Sequence, residues 1–193
     1  MRRIALSVAL TTVTFSLAGC GVLNATGDSA SAGPTKGNDL TVGLLLPEKA
    51  NTRYDKFDYP IIKSKVADLT GKRGKVEYAN ADADAGRQAT QMRKMIDDKV
   101  DVILLDAVDS HAIAGEVKKA QDAGIPVIAY DRLAEGPIAA YVSFDNELVG
   151  EVQGRSLLEA LGSKAGSAAK IVMMNGSPTD RTPVSSRRAR SPS

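Results

Sequence analysis

Four polar groupings in this 193-residue sequence each follow an apolar run. Asn51, Arg53 and Tyr54 follow residues 40–46, and Asp106 follows residues 100–105. Asp131-Arg132 follow residues 126–130, and Asp145-Asn146 follow residues 140–144. Carboxylates accept hydrogen bonds from hydroxyl groups, guanidinium groups donate to them, and Asn does both. Such charge-assisted bonds are among the stronger ones. The ring of Tyr54 suits the C–H face of a cyclic polyol. The set therefore fits a neutral, hydroxyl-rich ligand. The alternative is that Asp131-Arg132 is a surface ion pair and Asp145-Asn146 only caps the next helix. The residues alone leave both open.

Other chemistries find little support. His111 is the only histidine and Cys20 the only cysteine, so neither a zinc site nor a Cys–His dyad can be built. Asp82 and Asp84 open a segment like a calcium loop, but its closing Glu is missing; capping of a helix fits them better. No phosphate-binding glycine motif occurs. No cofactor, metal or catalytic constellation is expected, and an enzyme is the least supported class. Aromatics are 4% of residues and Trp is absent, which speaks against stacking on nucleic acid. The net charge of +2 is carried by six terminal arginines. Between residues 21 and 180 lie 19 bases and 23 acids, a net of −4 that does not favour a phosphate backbone.

The groupings need elements to hold them. Runs 40–46, 75–78, 100–105, 126–130 and 140–144 have strand length, and as runs apolar on both faces they suit a parallel sheet. Between them, Phe57, Ile61, Val66 and Leu69 predict one helical stripe, with Asp58 as a cap and Pro60 in the first turn. Ala85, Ala89, Met92 and Ile96 predict a second stripe, with Met92 and Met95 as core filling. Ile113, Val117 and Ala120 predict a third, ended by Gly124. The alternation is that of an α/β doubly wound parallel sheet. Ligands of such sheets bind beyond the carboxyl ends of the strands, where the four groupings fall.

The N-terminus reads as an address. Two arginines, an apolar run and the tetrad Leu17-Ala18-Gly19-Cys20 predict a lipoprotein signal over residues 1–20, with Cys20 lipidated. Residues 21–39 are rich in Gly, Ser, Ala and Pro and predict a flexible linker. The expected location is the cell envelope, at the outer face of the cytoplasmic membrane or in the periplasm.

The segments GIPVIAYDR (124–132), YVSFDNELVG (141–150) and NGSPTD (175–180) resemble the periplasmic xylose-binding proteins. These are pentose- and hexose-binding subunits of ABC importers with the type I periplasmic-binding-protein fold. The resemblance runs from about residue 40 to residue 180. It implies monosaccharide contacts from Arg53, Tyr54, Asp131 and Arg132, with Asp145 or Asn146 near the hinge. Asp106 is the weaker candidate, because Asp106-Ala107 departs from the Pro- or Asn-containing loop of some relatives. The implied partners are a pentose or hexose, an ABC permease and the membrane through the lipid. A monomer is expected, and no nucleic acid. The alternative is a sugar-sensing lipoprotein serving a chemoreceptor or sensor kinase.

The resemblance also implies two lobes. Residues 40–144 read as the first, and residues 145–180 as the start of the second, with a helix over 147–161 and a strand over 170–174. Residues 181–193 have no acid and no apolar period. They read as a shifted frame or truncated gene model, with a natural disordered basic tail as the alternative.

Overall fold

A computed structural model describes residues 38–166 and 169–180. The signal with Cys20, most of the linker and the basic tail lie outside the described residues. The first apolar run forms the interior strand β1 (Thr41–Leu46), hydrogen-bonded on both sides. One neighbour is β2 (Lys75–Asn80), in register from Thr41↔Lys75 to Leu46↔Asn80. The other is β3 (Val102–Leu105), followed by β4 (Val127–Tyr130) and β5 (Ala140–Val142). All pairings are parallel and the order is β2-β1-β3-β4-β5. The predicted doubly wound sheet is the one observed.

Successive residues of β1 point to opposite faces. Leu45 joins Ile103, Leu105, Val127 and Ala129 under α2 (Ala85–Asp97) and α3 (Ala114–Asp122). Leu44 and Leu46 pack on the other face with Tyr54, Tyr59 and Ile62 of a π-helical turn (Tyr54–Asp58) and α1 (Tyr59–Leu69). A Cβ on Gly43 would come within 2.7 Å of the Met95 sulfur, so the glycine allows α2 its close approach. Met92 and Met95 are buried as expected, and Val117 and Ala120 form the inner face of α3 behind its buried N-cap Ile113. That helix ends at Gly124 with φ +76, a conformation glycine adopts without strain.

Three expectations are corrected. The stripe Phe57, Ile61, Val66, Leu69 is not the packed face of its helix: Phe57 is 50% and Leu69 82% exposed. The inward row is Tyr54, Asp58, Ile62, Val66 and Thr70, each buried or half-buried. Strand β5 is not covered on both faces; all three of its residues are exposed. Residues 170–174 are not a strand. Among the described residues nothing pairs with them, and Val172 is 92% exposed. The expected helix over 147–161 is present as α4 (Asn146–Leu161), of which only Gly150 is buried.

Candidate functional site

The strand order reverses beside β1, between β1 and β3. In open α/β sheets such a switch point, at the carboxyl ends of the strands, is where the ligand crevice lies. Beyond β1 the chain turns at Asn51, whose Oδ1 accepts from the Arg53 amide at 3.1 Å. The turn places Arg53 at the edge of the crevice. Its Nε donates to Asp58 Oδ2 at 3.1 Å and its Nη2 to Asp131 Oδ2 at 2.5 Å. Beneath it lies the ring of Tyr54, 4.7 Å from the guanidinium carbon and 1% exposed. Tyr54 thus sits in the core as a floor for Arg53. Burial, and then the nearby Asp106, push its hydroxyl above the ordinary phenol range.

Strand β4 ends in a tight turn. The Arg132 amide donates to the Tyr130 carbonyl at 2.7 Å, which requires φ +61 at Asp131. A non-glycine residue in that region carries strain that its surroundings must hold. Here the Asp131 amide donates to the Val142 carbonyl, while Tyr141 Oη and Ser143 Oγ both donate to the Asp131 carbonyl at 2.9 Å. The exposed strand β5 therefore fixes the turn. As a result Asp131 meets Arg53 while Arg132 reaches the opposite way. Arg132 Nη2 donates to Glu48 Oε1 at 2.7 Å, and its Nε lies 3.7 Å from Asp106 and 3.6 Å from Asp180.

Asp106 is the deepest member, at 0% exposure. Its Oδ2 is 4.0 Å from Arg53 and its Oδ1 3.7 Å from Arg132, too far for hydrogen bonds, and neither oxygen has another partner. Burial, then the charge of Asp131, push its carboxyl up to about 8 against the opposing pull of Arg132 and Arg53. The loop carrying it is clamped by Gln88, which donates to the Asp106 carbonyl at 2.8 Å and accepts from the Val108 amide at 2.9 Å. For both arginines burial opposes the charged form, but Asp131 beside Arg53, and Tyr54 and then Asp106 beside Arg132, outweigh it and hold them above their ordinary value.

Arg53, Tyr54, Asp106, Asp131 and Arg132 are thus brought together. Asp145 and Asn146 stand apart from this cluster. Asp145 Oδ1 accepts from the Leu148 amide as the N-cap of α4, and Asn146 donates to Ser143 Oγ and the Phe144 carbonyl. Ser143 is the link, since it also holds Asp131. Four acidic or phenolic members escaped the sequence reading: Glu48, Asp58, Tyr130 and Asp180. Glu48 lies two residues past β1 and the strand-end rule reaches it. Asp58 binds Arg53 instead of capping α1, and its charge, after burial, helps push the Tyr130 hydroxyl up to about 12. Asp180 arrives on a turn whose Thr179 bonds the Ser110 amide and the Val108 carbonyl. His111 lies outside the site, beside Glu135 at 2.8 Å. Among the described residues no cluster of His, Cys, Asp and Glu could hold a metal.

Comparison with known proteins agrees with this architecture. The chain is 36% identical over 143 residues to the multiple sugar-binding periplasmic receptor ChvE of Rhizobium radiobacter, covering 72% of this chain and 39% of the relative. It is 32% identical over 143 residues to the D-xylose-binding periplasmic protein of Escherichia coli K12, covering 74% and 41%. The chain therefore spans about two fifths of the length of these curated relatives. A solute-binding protein of an ABC transporter from Clostridium phytofermentans, solved with β-D-glucose, superposes with a TM-score of 0.71 at 24% identity, over 78% of this chain and 46% of that one. At that identity the likeness speaks for the fold alone. The family model described as periplasmic binding protein domain matches residues 42–186, three quarters of the chain. With its parallel sheet and its polar cluster at the strand ends, the chain belongs to the periplasmic binding protein domain family, of the type I fold.

Proposed function

We propose that this chain supplies the first lobe of an extracytoplasmic, lipid-anchored binding protein that captures a pentose or hexose, xylose-like in shape, for an ABC permease. The observation that carries the reading is the convergence of Arg53, Asp131 and Arg132 from separate strand ends over one floor of Tyr54 and Asp106. Arg53 and Arg132 donate to ligand oxygens, and Asp131 accepts from ligand hydroxyls. Asp145 and Asn146 lie at the start of α4, where the chain leaves the lobe and a hinge would sit. The sugar-binding names of the two relatives support the ligand class. Anchoring through Cys20 rests on the sequence of residues 17–20.

The word receptor in the name of the Rhizobium relative favours a second reading, in which the same capture serves sensing. Saturation-transfer NMR on the 193-residue chain tests the capture step common to both. D-xylose, D-ribose and D-glucose are the probes. Transfer to the ring protons of at least one, abolished by Arg132→Ala, is expected. No transfer to any of the three would overturn the reading.

A further inference from the structure

We infer that Asp106 is a positioning residue: from beneath the crevice its carboxylate holds the guanidinium groups of Arg53 and Arg132 side by side, without itself reaching the solvent face. Two like charges in one crevice repel, and the repulsion grows as water is excluded. Asp58 and Asp131 neutralise Arg53 from its own side, and Glu48 and Asp180 flank Arg132. Asp106 is the one carboxylate that approaches both, at 4.0 and 3.7 Å.

Its own position is fixed by groups other than the arginines. The Asp106 amide donates to the Leu45 carbonyl at 2.9 Å, and Gln88 grips the loop on the other side. The backbone that carries the carboxylate is therefore held on both sides. A sealed carboxylate with two unpartnered oxygens is costly to bury, so its neutral form gains ground. The groups that face it are Arg53 and Tyr54 from the π-helical turn, Asp131 and Arg132 from the end of β4, and Asp180 from the 177–180 turn. Burial raises Tyr54 further, so it does not titrate near neutrality. Asp106, pushed up to about 8, does. Below that pH it is neutral and the two guanidinium groups lack their shared counter-charge. Above it the anion forms and the pair is held. The inference depends on the proposed function only for what the two arginines finally meet.

The test needs no ligand. The side-chain Nε–Hε signals of Arg53 and Arg132 are followed by NMR from pH 6 to 9 in the full chain, and in Asp106→Asn, which keeps the shape and removes the charge. In the unaltered chain both signals are expected to shift together with a midpoint near pH 8 and to sharpen above it. In D106N neither is expected to shift through that range. Signals that stay still in the unaltered chain, or that titrate equally in D106N, would overturn the inference. If D106N does not fold, the unaltered chain decides alone. Affinity for D-xylose, as the probe, is then expected to rise several-fold through the same midpoint. Absence of xylose binding with the arginine titration intact would count against the sugar reading and leave the role of Asp106 standing.

Discussion

Arg53 Nη2 and Asp131 Oδ2 meet at 2.5 Å although the residues are 78 apart in the chain. The contact ties the loop after β1 to the turn after β4, across the end of β3. It exists because φ +61 at Asp131 turns the chain sharply at the end of β4, and because strand β5 holds that turn from behind. Asp106 lies below the contact, and Arg132 closes the far side.

The two bonds of Arg53 leave from Nε and Nη2, a fork that an ammonium group does not reproduce. Arg53→Lys is therefore expected to weaken D-xylose binding by about tenfold or more, the equivalent of one charge-assisted hydrogen bond. An NMR titration of the chain measures it. Affinity unchanged in the Lys variant would remove Arg53 from the ligand face.

Asp106 also marks stability. Its carboxyl is raised from 3.8 to about 8 on folding, so between those values the folded chain holds a proton that the unfolded chain has lost. This contribution to stability is present below pH 4 and declines as pH rises towards 8. Relative to the unaltered chain, Asp106→Asn should gain melting temperature steadily over that window. Parallel melting profiles for the two chains would contradict the assignment.

Five carboxylates (Glu48, Asp58, Asp106, Asp131 and Asp180) share two guanidinium groups in the cluster. Among the described residues of the cluster carboxylates outnumber guanidinium groups even with Asp106 neutral, which disfavours an anionic ligand. D-glucuronate is expected to bind at least about tenfold more weakly than D-glucose, the factor that 1.4 kcal/mol supplies. Competition NMR at fixed ionic strength compares them, since salt screens the exposed part of this field.

Gln88 satisfies two backbone groups of the loop at Asp106 while 1% exposed. Gln88→Leu keeps the volume roughly and strands both groups. A loss of about 1–3 kcal/mol per unsatisfied buried group is expected in urea unfolding. A loss near zero would mean that the loop stands without the clamp.

Helix α4 leaves Leu148, Val152 and Leu158 more than half exposed. Such surface favours association when it is contiguous. The triple change of these residues to Ser is expected to lower light scattering by the 193-residue chain at high concentration, with little effect on the midpoint of unfolding of the sheet. Equal scattering would show that association starts elsewhere.

The sheet was legible because Leu45, Ile103 and Val127 belong to short apolar runs that suit a covered parallel strand. Helix α3 was legible because Ile113, Val117 and Ala120 repeat at helical spacing. The first helix was legible as a helix, but its packed face was not, for a physical reason. A π-helical turn over Tyr54–Asp58 precedes it and rotates the face that meets the sheet. Its inward row then contains the polar Asp58 and Thr70, which hide the pattern, while the apolar Phe57 and Leu69 point outwards. In the site, the strand-end rule located Arg53, Asp106, Asp131 and Arg132. It does not say which carboxylate each arginine takes. That Tyr54 is a floor, that Asp106 is sealed and that Asp180 returns to Arg132 all depend on packing between distant segments, which leaves no trace in local spacing.

The central claim is that the strand-end cluster meets a monosaccharide. Amide and arginine side-chain shifts of the isotopically labelled 193-residue chain, recorded as D-xylose is raised to tens of millimolar, test it most directly. The account predicts saturable changes confined to residues near Arg53, Asp106, Asp131 and Arg132, and lost in Arg132→Ala. Spectra that stay unchanged at these positions, or changes scattered over the surface and indifferent to the substitution, would contradict it.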